Sequence, residues 1–198
     1  MVSVTAQAVL DFWFLPTSDR SHNHFRDEWF RKEDAFDAAI RARFSADVEA
    51  ALNGQLPLAG GAEERLAHIL LLDQFTRNIF RDKPQAFAGD AVAHALADDL
   101  VVSTQDKNLS PFMRWFAYLP FEHSETLADQ AHSVALFTCL LDDAPPGHER
   151  AFASALDYAK QHQEVIARFG RFPHRNAILG RESTESERLF LQQPGSSF

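Results

Sequence analysis

The chain has few of the features that mark secreted, membrane-spanning or nucleic-acid-binding proteins. It contains one cysteine, Cys139, so no intramolecular disulfide can form, and a cytoplasmic location is expected. No apolar run approaches the roughly 20 residues of a transmembrane helix, and residues 1–7 lack the basic start of a signal peptide. Basic residues number 19 against 28 acidic ones, which disfavours nucleic acids and anionic membranes as partners.

Alternating strand patterns are also scarce, which argues against a β-rich fold. Apolar residues recur instead at helical spacing, most clearly four apart at Phe36, Ile40, Phe44, Val48 and Leu52. We predict one all-α domain over residues 1–198, with a frayed tail from about residue 191. Short turns between helices indicate antiparallel helical hairpins, arranged as a bundle or as a tetratricopeptide-like array.

Turn and capping residues divide the rest of the chain into further helices, because glycine and proline mark helix ends and starts. The apolar run that contains Cys139 is interpreted as buried packing. In the first half of the chain we expect a helix that stops at Asn53-Gly54, a helix after Gly60-Gly61 as far as Phe80, and a helix from Asp82 to about Val102. The middle is expected to hold a helix from Ser110 that Pro120 cuts short and a helix that is capped by Ser124 and ends at Leu141. The last expected elements are a helix from Glu149 to Phe169 stopped by Gly170, a short helix from Pro173 to Gly180, and a helix with a capping box at Thr184.

Positive charge is concentrated in residues 168–181, which hold four arginines, one histidine and no acidic residue. This segment carries +4, whereas the rest of the chain carries −13. Guanidinium groups and the free N–H groups at a helix start both favour an anion. Internal pairing of these arginines with acids of the chain, such as Asp73, Glu122, Glu125 or Asp129, explains the segment about equally well. The candidate ligand-binding residues here are Arg168, Arg171, His174, Arg175 and Asn176.

Three more candidates, Asp73, Arg77 and Asn78, lie on one predicted helix. They contribute to an anion site if this polar face points at residues 168–181, with Leu72, Phe75 and Ile79 facing the other way. A simple intrahelical pair between Asp73 and Arg77 is the alternative.

Histidine supplies the candidate catalytic residues, His123 beside Glu122 and His174 within the arginine segment. The alternative for the Glu122-His123-Ser124-Glu125 motif is helix initiation. The nine histidines are scattered and form no metal-ligand pattern, and the chain lacks a P-loop, a G-x-G-x-x-G and a G-x-S-x-G motif. We therefore expect no metal and no cofactor.

Three segments resemble a known family, the domain of unknown function 924. They are Leu71-Leu72-Asp73-Gln74-Phe75-Thr76-Arg77-Asn78-Ile79-Phe80-Arg81, Leu119-Pro120-Phe121-Glu122-His123-Ser124-Glu125, and Arg168 to Arg181 followed by Ser183-Thr184. The resemblance implies an all-helical, tetratricopeptide-like fold and no established activity. The family usually has proline at the position of Thr76 and often methionine at that of Glu122, so neither residue is essential to a shared chemistry.

The leading functional hypothesis is a soluble helical binding protein with an arginine-rich groove. Its ligand would be an anionic small molecule or an acidic protein segment. One alternative is a hydrolase or transferase that acts on an anionic small molecule, in which a histidine moves a proton. A second alternative is a buried polar network without a ligand. The oligomeric state stays open.

Overall fold

The computed structural model describes residues 2–56 and 60–196, and every regular element in these two ranges is helical. The predicted all-α fold is therefore confirmed. None of these helices is long and apolar enough to cross a membrane. The α-helices are α1 (Val4–Phe14), α2 (Asp34–Leu52), α3 (Ala62–Ile69), α4 (Thr76–Ile79), α5 (Asp90–Val102), α6 (Pro111–Glu122), α7 (Leu127–Asp142), α8 (Glu149–Phe169) and α9 (Glu185–Leu191), with 3-10 turns at Asp27–Trp29, Pro84–Phe87, Gln105–Asn108 and Pro173–Arg175.

Several predicted boundaries are confirmed. Helix α2 buries Ile40, Phe44 and Val48 on its apolar face and is followed by Gly54 at a φ of 67°. Helix α8 begins at Glu149 and is ended by Gly170 at a φ of 68°, a backbone conformation that glycine adopts without steric cost. The capping box at Thr184 is also present at the start of α9.

Two predictions around α5 and α6 are wrong. Asp82 does not begin a helix, because its φ of 62° is left-handed, and the chain instead makes a 3-10 turn before α5 begins at Asp90. Pro120 does not cut α6 short, because the helix continues through Glu122. A proline there removes only one N–H donor, and the residues from Phe112 to Glu122 are all buried against the core.

Three other local predictions also need correction. Thr126, not Ser124, caps α7 through its hydroxyl, and Ser124 donates instead to Asp129 Oδ2 at 2.6 Å. The short helix expected from Pro173 to Gly180 is a 3-10 turn over Pro173–Arg175 followed by further turns. Cys139 is exposed, because α7 buries a different face.

The main core is rich in aromatic side chains contributed by α1, the Asp27–Trp29 turn and α6. Trp13 packs against Trp29 and Phe116 with ring centroids 6.3 and 5.3 Å apart. A smaller apolar cluster of Val165, Ile166 and Phe172 lies at the end of α8. This second cluster attaches the arginine segment to the helical body.

Helices α6 and α8 run in the same direction on either side of a cleft, and both pack against α7. At the amino-terminal halves of the two helices, the Trp115 and Phe152 rings lie 5.2 Å apart. At their carboxyl-terminal halves, the His123 and His162 rings lie 6.5 Å apart. The cleft therefore has an aromatic end and a polar end.

Candidate functional site

The cleft has a volume of about 1170 Å³ and is lined by one stripe of residues from each helix. Helix α6 and the residue after it contribute Trp115, Leu119, Glu122 and His123, while α8 contributes Arg150, Ala151, Ser154, Ala155, Tyr158 and His162. These spacings of three, four and seven place each set on a single helix face. These two helix faces form the opposing walls of the cleft. Residues from earlier in the chain, such as Phe25 and Arg77, and from later in the chain, such as Arg175, complete its lining.

A π-helical segment, Leu70–Phe75, continues α3 into α4 and places Asp73 below the polar end of the cleft. π-Helical turns are rare and are often found at functional sites. The Leu72 carbonyl in this segment accepts a 2.8 Å hydrogen bond from Thr76 Oγ1. It also lies against Gly89, where a Cβ atom would overlap the Leu72 backbone. This close approach sets α5 and its first residue, Asp90, beside the segment.

Asp73 is fully buried, and three side chains bind its carboxylate. Gln74 Nε2 donates to Asp73 Oδ2 at 2.5 Å. His123 Nδ1 lies 2.7 Å from Asp73 Oδ1, and Arg77 Nη1 lies 3.2 Å from the same oxygen. Although burial alone would raise it, the pKa of Asp73 is lowered, because Arg77 and His123 favour the charged carboxylate. An ionised carboxylate only accepts hydrogen bonds, so Nδ1 of His123 carries the proton that is donated to Asp73.

His123 is held as a neutral, oriented imidazole at the cleft. Burial and the nearby Arg77 charge lower the pKa of His123. Because Nδ1 donates to Asp73, the other ring nitrogen, Nε2, is left as an acceptor. The His123 side chain is 15% exposed and lines the cleft, so this arrangement has the elements of a general base.

Two arginines share the carboxylate of Asp90. Arg77 donates to both Asp90 oxygens at 2.9 and 3.0 Å, whereas Arg175 Nη1 reaches Asp90 Oδ2 only at 3.5 Å. The Arg175 guanidinium lies over the rings of Phe87 and Phe172, 4.9 and 4.5 Å from their centroids. Its Nε has no hydrogen-bond partner in residues 2–56 and 60–196. Arg175 is therefore a cation without a carboxylate of its own.

The environment of Arg175 disfavours its charge. Arg175 is 6% exposed, and burial together with the Arg77 charge lowers its pKa to about 10. We call Asp73, Arg77, Asp90, His123 and Arg175 the charged cluster. It contains two cations and two carboxylates and is balanced only while His123 stays neutral.

Two more histidines and one glutamate stand beside the charged cluster. Burial lowers the pKa of His162 to about 3 and that of His174 to about 4. Burial and the Asp73 charge raise the pKa of Glu122 to about 8, so this carboxyl keeps its proton at neutral pH. Glu122 Oε2 has no hydrogen-bond partner in the described part of the chain.

The structure brings five of the predicted site residues together. Arg77, His123, His174 and Arg175 line the cleft, and Asp73 lies directly behind His123. The remaining four lie elsewhere. Asn78 donates to Asp37 at 2.7 Å, exposed Arg168 lies over Phe169 and Phe190, Arg171 pairs with Glu187, and Asn176 donates to Ser183.

Internal pairing explains part of the arginine segment, with one acid that was expected, Glu125, and one that was not, Glu187. Arg171 binds both oxygens of Glu187 at 2.6 and 2.8 Å, and Arg181 binds both oxygens of Glu125 at 2.6 and 2.9 Å. Asp129 binds Ser124, Thr126 and His94 rather than an arginine. Two of the four arginines, Arg171 and Arg181, thus form structural pairs, Arg168 is exposed, and Arg175 faces the cleft beside His174.

Two residues of the site, Asp90 and His162, carried no clear signal in the sequence. Asp90 was not singled out, because nothing local links it to Arg77, 13 residues earlier. His162 shares the helical spacing of Ala155 and Tyr158, which is a signal for a common face but not for a site. No group of three or more metal-binding side chains has a suitable arrangement in residues 2–56 and 60–196.

The fold and the cleft together define an all-helical protein with an arginine-containing cleft between two parallel helices, aromatic at one end and polar at the other. The family model described as "Bacterial protein of unknown function (DUF924)" matches residues 9–195, and the chain belongs to this family. The chain is also similar to a solved protein of unknown function from Agrobacterium tumefaciens, with 37% identity and a TM-score of 0.76 over 94% of this chain and 96% of that one. No curated protein matches the chain.

Proposed function

We propose that the protein binds an anionic small molecule in the cleft between α6 and α8, with Arg175 as the main cationic contact. The position of Arg175 carries this proposal. The residue lines the cleft although it is 6% exposed, and its Asp90 partner already holds Arg77 with two hydrogen bonds. A buried cation that lacks its own carboxylate favours an anion from outside.

The neighbouring histidines support the same proposal. His123 and His174 line the cleft, and both have lowered pKa values, so they are neutral in the empty site. A bound anion favours the protonated form of a nearby imidazole. We therefore expect proton uptake on binding and tighter binding at pH 5.5 than at pH 8.

Thermal unfolding with and without added carboxylates and inorganic phosphate tests the proposal. A ligand at 100 times its Kd should raise the free energy of unfolding by about 2.7 kcal/mol. Arg175→Met removes the charge and should abolish this gain. Arg168→Met removes an exposed arginine of the same segment and should preserve it. The proposal fails if no anion stabilises the wild-type protein, or if Arg175→Met responds as strongly.

The depth of the charged cluster favours a small molecule over an acidic protein segment. Asp73 is fully buried, and only 8% of the Arg175 side chain is exposed. A carboxylate on a folded partner reaches such a position less readily than a free small molecule does. The pairs Arg171–Glu187 and Arg181–Glu125 are internal, so the purely structural alternative applies to that part of the segment.

A second candidate function is acid–base catalysis on the bound anion, as in the predicted hydrolase or transferase. The specific observation is the 2.7 Å contact between His123 Nδ1 and buried Asp73. A carboxylate that orients a histidine in this way is a recurring part of catalytic sites. With a turned-over ligand in hand, His123→Asn should lower kcat far more than it weakens binding. Unchanged turnover would exclude His123 as the base.

Other predictions from the sequence stay predictions. They are the tetratricopeptide-like repeat arrangement, the single domain over the whole chain and the cytoplasmic location.

A further inference from the structure

Exposed aromatic side chains lie along the cleft, and two of them, Phe25 and Phe30, lie at its end away from the charged cluster. Among the described residues, eight large apolar side chains are exposed, and three of them, Phe25, Phe30 and Tyr158, line this one cleft. Their exposed fractions are 36%, 49% and 52%. Exposed apolar surface of this kind often marks a binding site. We call the three rings in mutual contact, Phe25, Phe30 and Trp115, the aromatic wall.

The aromatic wall contains rings that already stack on one another. Phe30 stacks on Trp115 with centroids 5.3 Å apart, and Phe25 stacks on Phe30 at 6.0 Å. Phe30 also stacks on fully buried Phe116 at 5.9 Å. Stacked rings offer a flat apolar surface that loses little conformational freedom when a ligand covers it.

The segment that carries Phe25 and Phe30 is anchored to α1. Arg26 Nη1 donates to the carbonyl oxygens of Phe12 and Trp13 at 2.8 and 2.9 Å, and Trp29 Nε1 donates to Trp13 at 3.0 Å. These bonds fix the residue that follows Phe25 and the residue that precedes Phe30. The aromatic wall is therefore preformed rather than a loose loop.

The aromatic wall and the charged cluster are separated by a distance that one small molecule can span. Trp115 and His123 lie on the same face of α6 and the residue after it, eight positions apart, which corresponds to about 12 Å along a helix. Tyr158 and His162 follow the same order on α8. One ligand can therefore contact both ends of the cleft.

We infer that the ligand is amphipathic: a monoanion, most simply a carboxylate, bound at Arg175 and His123, with an apolar body against the aromatic wall. The single charge follows from the charged cluster, in which two arginines face two carboxylates, so that protonation of one histidine, His123 or His174, balances one added negative charge. Arg150 also lines the cleft, but it lies in the first turn of α8, away from this cluster. This inference rests on the proposed anion binding and adds the chemical class of the ligand.

A homologous series of linear carboxylates, from acetate through butyrate and hexanoate to octanoate, tests this class by titration calorimetry. Burying each methylene should lower Kd about fourfold until the cleft is filled. Octanol, which has the same chain without the charge, should bind far more weakly than octanoate. Octyl phosphate, a dianion above its second pKa, should bind no better than octanoate at pH 8.

Two variants separate the two ends of the cleft. Phe30→Ala should weaken octanoate at least fivefold and leave acetate unchanged, because only the longer chain reaches the aromatic wall. Val102→Ala, at a residue that is 74% exposed and absent from the cleft lining, is the matched control and should change neither.

The outcomes distinguish this inference from the proposed function. The inference of an amphipathic ligand would be overturned if acetate and octanoate bound equally tightly, or if Phe30→Ala left the Kd of octanoate unaltered. Either result would leave the proposed anion binding intact. Much tighter binding of octyl phosphate than of octanoate would overturn the inference that the ligand carries a single negative charge. Octanol binding as tight as octanoate binding, or no binding of any anion, would overturn both proposals.

Discussion

Replacement of Glu122 by glutamine should stabilise the protein, and the gain should grow with pH. Glu122 is 5% exposed, and its pKa is raised from 4.5 to about 8 by burial and by the charge of Asp73. The folded state therefore keeps a proton that the unfolded chain releases above pH 4.5. Stability from this carboxyl is fully present below pH 4.5 and is lost as the pH rises towards 8. Glutamine has nearly the shape of the protonated acid and does not titrate.

The size of the effect follows from the two pKa values. Each pH unit between 4.5 and 8 costs the wild-type protein about 1.4 kcal/mol relative to a non-titrating residue. The difference between Glu122→Gln and wild type should be near zero at pH 4, about 3 kcal/mol at pH 7, and level above pH 8. At pH 7 this corresponds to a rise in Tm of roughly 5–10 °C for a chain of this size.

Urea unfolding followed by circular dichroism from pH 4 to pH 9 measures this difference. Because both proteins share all other titrating groups, those groups cancel in the comparison. Glu49→Gln, at an exposed position of α2, is the matched control and should unfold in parallel with wild type. If Glu122→Gln also ran parallel to wild type between pH 5 and pH 8, the carboxyl would be ionised in the fold and the reasoning refuted.

Two further substitutions test how the site is held in place. Gly89→Ala should lower the free energy of unfolding by about 3 kcal/mol, because the new Cβ overlaps the Leu72 backbone, whereas Gly61→Ala, which meets open space, should be nearly neutral in the same thermal unfolding assay. Arg171→Ala should lower the urea midpoint at pH 7 more than exposed Arg188→Ala does, because Glu187 is 2% exposed and would lose its arginine partner. An equal or smaller loss would contradict this.

Helix positions were predictable because they depend on local periodicity and on capping residues. Helix α8 was placed from Glu149 to Phe169 by the proline and glycine residues before it and by Gly170 after it. Cys139 shows the limit of that logic. A run of eight mostly apolar residues was interpreted as buried, yet α7 buries only one face, which includes Phe137 and Leu140. A helix turns Cys139 away from that face, whatever the hydrophobicity of its neighbours.

The composition of the candidate site was predictable only in part, because its contacts join distant positions. The sequence placed Asp73 and Arg77 on one helix and Arg175 in a charged segment, and these residues do meet. It did not indicate that Asp90 links the two arginines, or that Arg171 prefers Glu187. Charge alone does not distinguish Arg171 from Arg175. The difference lies in which helix end each residue faces after folding.

The geometry of the charged cluster depends on the number of residues in the π-helical segment Leu70–Phe75. Its wide turn holds one residue more than an α-helical turn, so deletion of a single residue from Leu70–Phe75 would leave a helix of ordinary pitch. Because the wide turn absorbs its extra residue locally, the helix on either side would keep its orientation, and Arg77 would still face Asp90. The path of the segment itself would change, and this segment carries Asp73 and the Leu72 backbone that lies against Gly89. Family members with a one-residue gap at this point would thus keep Arg77 and Asp90 in place but lose the present position of Asp73.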